Sequence, residues 1–180
     1  DDAEAVRWYR LAAAQGHAGA QVNLGFMFEN GRGVAQDDAE AVRWYRLAAA
    51  QGHADAQYNL GFMFDDGQGV AQDDAEAVRW WRLAAAQGHA DAQCNLGNMF
   101  ENGRGVAQDD AEAVRLYRLA AAQGHADAQY NLGYMFYHGR GVAKDDAEAV
   151  RWYRLAAAQG NAPAQFSLGF MFEKGRGVAK

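Results

Sequence analysis

From Asp37 to Gln51 the apolar residues Ala41, Val42, Trp44, Tyr45, Ala48 and Ala49 recur at steps of three and four, with Arg43 and Arg46 pointing elsewhere. That period predicts an amphipathic helix. Asp37, with Glu40 three residues later, has the form of a capping box, which satisfies orphan amides at a helix N-terminus. Gly52, just after Gln51, suits a left-handed C-terminal cap. A second helix is predicted from about Ala54 to Asp65, where Ala56, Leu60, Gly61, Met63 and Phe64 keep helical spacing. Gly67-Gln68-Gly69 then breaks the chain before the next Asp-Asp pair. No strand signal is present. Isoleucine and threonine are absent and alanine dominates, which favours helix over sheet.

The same two-helix pattern fills the chain five times, at 1–36, 37–72, 73–108, 109–144 and 145–180. A self-similar period of 36 residues marks a stacked-repeat solenoid, in which no unit buries its apolar face alone. The predicted fold is therefore all-α, an α-solenoid of five helix-turn-helix repeats forming one array over 1–180. Pro163 fits the first turn of its helix, where a missing amide is harmless. Gly25, Gly61, Gly97, Gly133 and Gly169 fall inside second helices, at a cost of ~1 kcal/mol each relative to alanine. The expected compensation is close approach of the facing helix through Ala5, Ala12 and their counterparts.

Half of the residues are apolar and 22% are charged, as in a folded protein and unlike a disordered one. The net charge of −6 is spread over the copies and leaves no basic stripe for a phosphate backbone, so nucleic acid is not an expected partner. Apolar runs such as Leu11 to Ala14 are too short for membrane insertion. The opening residues show neither a start methionine nor the charged-then-apolar pattern of a targeting leader, and the compartment stays open. Cys94 stands alone, which excludes an intrachain disulfide or a cysteine metal site and reads as a small core or surface residue.

The runs Ala-x-Ala-Gln-x-x-Leu-Gly-x-Met-Phe and Gly-x-Gly-Val, followed by Asp-x-x-Glu-Ala-x-x-Trp-Tyr-x-x-Ala-Ala-x-Gln-Gly, closely resemble Sel1-like repeats, a branch of the tetratricopeptide repeat superfamily. The resemblance covers all five copies. It implies a right-handed superhelix of helix pairs that serves as an adaptor or scaffold for protein partners, with the second helix of each copy lining the concave surface. Leu116 in place of tryptophan, Asn161 of histidine and Pro163 of aspartate are its departures, and none threatens the fold.

Copies compared within the chain differ at eleven of the thirty-six positions, and six of these lie in the second helix, at the slots of Gly19, Val22, Asn23, Phe26, Glu29 and Asn30. On a helical wheel the six fall within an arc of about 120°. Variation is thus confined to one face, the one the resemblance puts on the inner wall, and it defines a candidate ligand-binding groove. The first copy contributes Val22, Asn23 and Phe26, and the second Asp55, Tyr58, Asn59, Phe62 and Asp66. The third adds Asn95, Asn98 and Asn102, and the fourth Tyr130, Asn131, Tyr134, Tyr137 and His138. The fifth supplies Phe166, Phe170 and Lys174. Aromatic residues with acidic edges make a protein-binding surface, and the asparagine series Asn23, Asn59, Asn95 and Asn131 can pair with an extended peptide backbone. Lys174 is the one base on the face, so a basic or apolar peptide or protein segment is the expected partner. The competing reading has the face drift in solvent, or has residues such as Tyr58 and Phe62 pack between adjacent second helices.

Neither a cofactor nor a metal is expected. His17, His53, His89 and His125 recur at successive levels, too far apart to share an ion, and read as turn or capping residues. The Gly-x-Gly loops lack the full glycine and lysine pattern of a phosphate cradle and read as turn punctuation. Trp8, Trp44, Trp80, Trp81 and Trp152 read as core filler, and Glu4 with Arg7 as an exposed i,i+3 pair. Ser167, the single serine, has no evident base and orienting acid, so no catalytic residue and no enzyme is expected. Two alternatives remain. One is a purely structural or consensus-like engineered scaffold without a native ligand. The other is a hydrolase resembling cysteine-rich Sel1 relatives, although those use paired cysteines. The fifth copy keeps Leu168, Met171 and Phe172 like the inner ones, which predicts either a segment of a longer array or end-to-end self-association.

Overall fold

The computed structural model describes residues 1–178; Ala179 and Lys180, which close the fifth copy, lie outside the described residues. It is all-helical, with ten helices among the described residues: α1 (Asp2–Ala14), α2 (Ala18–Glu29), α3 (Asp38–Ala50), α4 (Ala54–Asp66), α5 (Asp74–Ala86), α6 (Ala90–Asn102), α7 (Asp110–Ala122), α8 (Ala126–His138), α9 (Asp146–Ala158) and α10 (Ala162–Glu173). They fall into two compact units, Asp1–His89 with α1 to α5 and Ala90–Lys180 with α6 to α10. In the first unit α3 packs on both α2 and α4, and α4 on α5; in the second α7 packs on α6 and α8, and α9 on α8 and α10.

Local chemistry sets the helix ends. The Asp37 carboxylate accepts from the Glu40 amide, and Asp73, Asp109 and Asp145 cap α5, α7 and α9 in the same way. The reciprocal half of the expected capping box is replaced. Glu40 turns to Arg43, while the Asp37 amide donates to the Phe28 carbonyl at the end of the preceding copy's helix. The same bond joins Asp73 to Phe64, Asp109 to Phe100 and Asp145 to Phe136, so each cap also fastens one copy to the next. At the other end of α3, Gly52 takes φ +85, its amide donates to Ala49, and the His53 amide reaches Ala48, a Schellman closure. Pro163 lies in the first turn of α10.

The helix glycines do something other than the sequence suggests. A β-carbon on Gly25 would lie 2.6 Å from the ring of Tyr45, and the same holds for Gly61 with Trp81, at 2.5 Å, Gly97 with Tyr117, at 2.6 Å, and Gly133 with Tyr153, at 2.7 Å. The space serves an aromatic ring of the following copy's first helix, not the alanines of the facing helix in the same copy. Those rings are among the most buried in the molecule.

A second device runs alongside. Gln51 Nε2 donates to Gln21 Oε1 at 2.7 Å, and Gln21 Nε2 donates onward to the Ala13 carbonyl at 3.3 Å. Gln87 with Gln57, Gln123 with Gln93 and Gln159 with Gln129 repeat the link. The acceptor glutamines are 4% exposed, and their amides are satisfied in a site that would otherwise strand them.

In the first, second, fourth and fifth copies the Gly-x-Gly loop folds back over the start of the same copy's first helix. Gly69, at φ +66, lies so close to the Asp38 carbonyl that no side chain fits there. Arg32, Arg140 and Arg176, between the glycines of three of these loops, each grip the second aspartate of the Asp-Asp pair with two bonds: Arg32 with Asp2 at 3.2 and 3.1 Å, Arg140 with Asp110 at 3.1 and 2.8 Å, and Arg176 with Asp146 at 2.9 and 3.1 Å.

The tryptophans are less buried than core filler requires. Trp81 is buried, but Trp44, Trp80 and Trp152 are half-buried beneath Arg43, Arg79 and Arg151, whose guanidinium carbons stand 4.8 to 5.1 Å from the rings. Trp8, in the first copy, is 58% exposed.

Candidate protein-binding face

In the first unit α2 and α4 present Val22, Tyr58, Asn59 and Phe62 half-buried and Asn23, Phe26, Asp55 and Asp66 exposed. In the second unit α6, α8 and α10 present Asn95, Asn98, Tyr130, Asn131, Tyr134 and Tyr137 half-buried, and Asn102, His138, Phe166, Phe170 and Lys174 exposed. Every one of these side chains reaches solvent in part, so the variable face is neither turned wholly outward nor sealed between helices. Cys94, which takes the slot of Val22 and Tyr58 in the third copy, is buried, and burial pushes its thiol up to about 12.

Several of these residues also hold copies together. Asp55 and Tyr58 both meet His89 of the next copy, the carboxylate 3.5 Å from Nε2 and the rings stacked at 4.6 Å. Asp91 meets His125 Nε2 at 2.9 Å, and His125 Nδ1 accepts from the Ala128 amide at the start of α8. Asn161 reproduces both contacts with an amide: Nδ2 donates to Asp127 and Oδ1 accepts from Ala164. His53 follows a copy with glycine at that slot, Gly19, and makes no side-chain cap bond; its Nδ1 is buried without a partner. His17 and His125 therefore cap their helices, as the place of the histidines in the turn suggested, whereas His53 does not, and the aspartates that His89 and His125 meet, Asp55 and Asp91, come from the variable set.

The asparagine series is not a row of free amides. Asn131 Nδ2 donates to Asn98 Oδ1 at 3.1 Å, the same oxygen lies 2.6 Å from the Tyr117 hydroxyl, and Asn59 is hydrogen-bonded to Tyr45. The Tyr45 and Tyr117 hydroxyls also donate to Glu29 and Glu101, at 2.5 and 2.7 Å. Burial first, and then the carboxylate bond, raise both hydroxyls well above the usual tyrosine range; burial also raises Tyr153. Glu101 in turn receives Arg140 of the next copy at 2.7 Å, and Tyr137, in the same slot one copy later, receives Arg176 at 2.7 Å.

Five of the sequence-predicted residues converge. Tyr134, Tyr137, His138, Phe166 and Phe170, with Tyr153, Ser167 and Met171, line a cavity of about 110 Å³ between α8, α9 and α10. Tyr137 packs edge-on to Phe170 at 6.4 Å, and Tyr134 lies 4.2 Å from the His138 ring. Cations rim the aromatic wall: Lys144 and Arg176 lie 5.7 and 4.5 Å from the Tyr137 ring, and Lys174 5.9 Å from Phe170. His138 is held below the ordinary histidine value, chiefly by partial burial and then by Arg140, Lys144 and Arg176. Lys174 is thus not the only base beside the aromatic wall, because Lys144 and Arg176 come to it from turns that the variability of the second helix could not flag.

An apolar feature of another kind escaped notice through its constancy. Leu11, Leu47, Leu83, Leu119 and Leu155 occupy one slot in every first helix, and each is more than two-fifths exposed. No described helix is long and apolar enough to cross a membrane.

Helix pairs repeating every 36 residues, with a glycine–ring contact and a glutamine link between consecutive copies, define an α-solenoid repeat protein. The Sel1 repeat family model matches residues 1–17, 18–53, 54–89, 90–125, 126–161 and 162–180, and the chain belongs to the Sel1 repeat family. The family unit begins at the second helix, half a copy out of phase with the Asp-Asp register. A protective antigen of uropathogenic Escherichia coli strains, displaying an SLR fold, is 43% identical with a TM-score of 0.96 over 99% of this chain. This chain spans 38% of that protein's length. A Sel1 repeat protein from Oxalobacter formigenes is 35% identical, with a TM-score of 0.87 over 97% of this chain and 70% of its own. Cysteine rich protein B of Helicobacter pylori is 25% identical, with a TM-score of 0.56 over 72% of this chain and 96% of its own. No curated protein matches the chain.

Proposed function

We propose that this protein is a binding scaffold whose second-helix faces hold a segment of a partner protein, without catalysis. The observation that carries this reading is the cavity between α8, α9 and α10, with tyrosine and phenylalanine side chains half-exposed around it. Aromatic groups held by their neighbours give large contact area at little entropic cost. The cavity takes one apolar or aromatic anchor side chain of an extended segment. In the first unit the exposed Asp55 and Asp66 favour basic residues in the partner, while the apolar anchor is the main determinant in the second.

Selection from a displayed peptide library, followed by calorimetric titration of the selected peptide, tests this. Tyr134→Ala and Phe170→Ala are each expected to weaken binding about tenfold or more, as for anchors at the centre of an interface. Asn98→Ala is the poorer probe because the Tyr117 hydroxyl and the Asn131 amide both depend on Asn98. Undiminished affinity in both aromatic variants rejects the assignment, and cleavage of the peptide by purified protein favours an enzyme instead.

A further inference from the structure

The exposed side of the first helices carries a charge opposite to that of the chain as a whole. On α3 the residues Ala39, Arg43, Arg46, Leu47 and Ala50 are exposed and fall within an arc of about 100° on the helical wheel. The same five slots are exposed on α5 and α7. These helices belong to the second, third and fourth copies, each with a copy before and after it in the chain, so their exposure is a property of inner copies. The carboxylates of α3, Asp38 and Glu40, are half-buried, and Glu40 is bonded to Arg43. Arg46 differs. Its guanidinium carbon stands 5.8 Å from the centre of the Phe64 ring, as that of Arg118 stands 5.7 Å from Phe136, and neither arginine makes an ion pair or hydrogen bond among the described residues. An arginine lodged over an aromatic ring is restrained while its N–H edges stay open to a carboxylate. Next to each stands an apolar side chain, Leu47 at 43% and Leu119 at 42% exposure. In the first unit the two helix types differ in sign, since α4 exposes Asp55 and Asp66.

We infer that the exposed face of the first helices is a second docking surface, which takes an acidic segment of a partner protein: carboxylates pair with Arg46 and Arg118, and apolar side chains between those carboxylates cover Leu47 and Leu119. The occupant follows from charge complementarity, because the open guanidinium fork matches a carboxylate with two parallel bonds. An anionic bilayer is the poorer match. Leucines more than half covered do not reach the about 5–10 Å into the headgroup and acyl boundary at which interfacial helices settle. Trp44 and Trp80, the aromatic groups suited to such a boundary, are held beneath Arg43 and Arg79. One guanidinium and one leucine make a weak contact, so affinity comes from engaging more than one copy.

Fluorescence anisotropy of a labelled peptide of repeated Glu-Glu-Leu, titrated with the purified 180-residue chain, tests the inference. Saturable binding that weakens with added salt is expected, and a Gln-Gln-Leu peptide is expected to bind far more weakly. Tyr134→Ala, which alters the cavity between α8, α9 and α10, is expected to leave the affinity unchanged. Arg46→Gln combined with Arg118→Gln is expected to weaken binding about fivefold, as for the loss of two solvent-facing ion pairs. Leu47→Gln combined with Leu119→Gln is expected to weaken it as well, with helical circular dichroism unchanged because both leucines are exposed. A Glu-Glu-Leu peptide that stays free overturns the inference. So does undiminished affinity in either double variant, an equal loss in Tyr134→Ala, or a chain that sediments with phosphatidylglycerol vesicles and leaves the peptide unbound.

Discussion

The ring of Tyr117 occupies the place a side chain on Gly97 would need, with Cε1 2.6 Å from the missing β-carbon and the tyrosine itself fully buried. A ring enclosed on all sides cannot swing away, so the closeness is a constraint on both residues. Gly97→Ala is expected to cost about 1–3 kcal/mol in overpacking, against a gain of up to about 1 kcal/mol in helix propensity. The net effect is destabilisation, read as a lower denaturant midpoint. Gly169→Ala meets open space and is the internal control. Measured at a concentration where the chain is monomeric, it is expected to leave stability unchanged or raise it by up to about 1 kcal/mol.

His53 lacks what His125 has. Restoring the acceptor with Gly19→Asp is expected to draw His53 Nε2 into the bond that Asp91 makes with His125, and so to turn Nδ1 onto the start of α4. A restored side-chain cap is worth about 1 kcal/mol. Thermal unfolding of the variant is expected at higher temperature, and an unchanged transition rejects the coupling between the two slots.

Alkaline stability follows from Tyr45, Tyr117 and Tyr153. In the unfolded chain each hydroxyl loses its proton near pH 10. In the folded chain all three are raised, by burial first, and stay protonated. Above about pH 10 the unfolded state therefore holds fewer protons than the folded one, and stability falls as pH rises; below that, these groups contribute no slope. Spectrophotometric titration is expected to show the exposed phenols ionising first and the buried three only as helical signal is lost.

Arg140 joins three elements, bonding Asp110 in its own copy and Glu101 in the one before. Glu101 is only 15% exposed at its side chain, so Arg140→Ala leaves a shielded carboxylate without its cation. A loss of about 1–2 kcal/mol is expected, below the figure for a fully buried pair because the guanidinium still meets solvent. Arg7→Ala, which breaks the exposed pair with Glu4 and an equally exposed contact with the Trp8 ring, is expected to change stability little. Equal effects from the two substitutions contradict this ranking.

Cys94 reports on local opening. Its thiol, buried and pushed up to about 12, carries almost no thiolate at pH 8, whereas an unfolded cysteine ionises near pH 8.5. Alkylation at pH 8 is expected to be slow in native protein and to accelerate in step with unfolding in denaturant. Rapid modification of the folded chain contradicts the burial.

Helix positions were readable because their causes are local: the 3.6-residue apolar period of α3 and α4, Asp37 at one cap and Gly52 at another all act within a turn of themselves. Gly61 was readable as a site of close approach but not by what approaches, since the ring it admits, Trp81, belongs to another copy. Gln21 and Gln51 escaped notice because an amide on a helix reads as a solvent-facing residue until a partner thirty residues away comes beside it. On the variable face, Tyr134, Phe166 and Phe170 do gather round one cavity, while Asn131 and Asp55 are held in joints. Variation in one helix could not separate these roles, because Asp55 and His89 are linked only through space.

The glutamine link has a direction. Gln51 donates a hydrogen bond to Gln21 and Gln21 donates one to Ala13, and Gln87, Gln123 and Gln159 donate in the same sense to Gln57, Gln93 and Gln129. Each copy is thus a part with unlike ends that fits its neighbours in one order only. A block of thirty-six residues added or removed therefore keeps a donor glutamine thirty residues after each buried acceptor, and the order of the link is preserved.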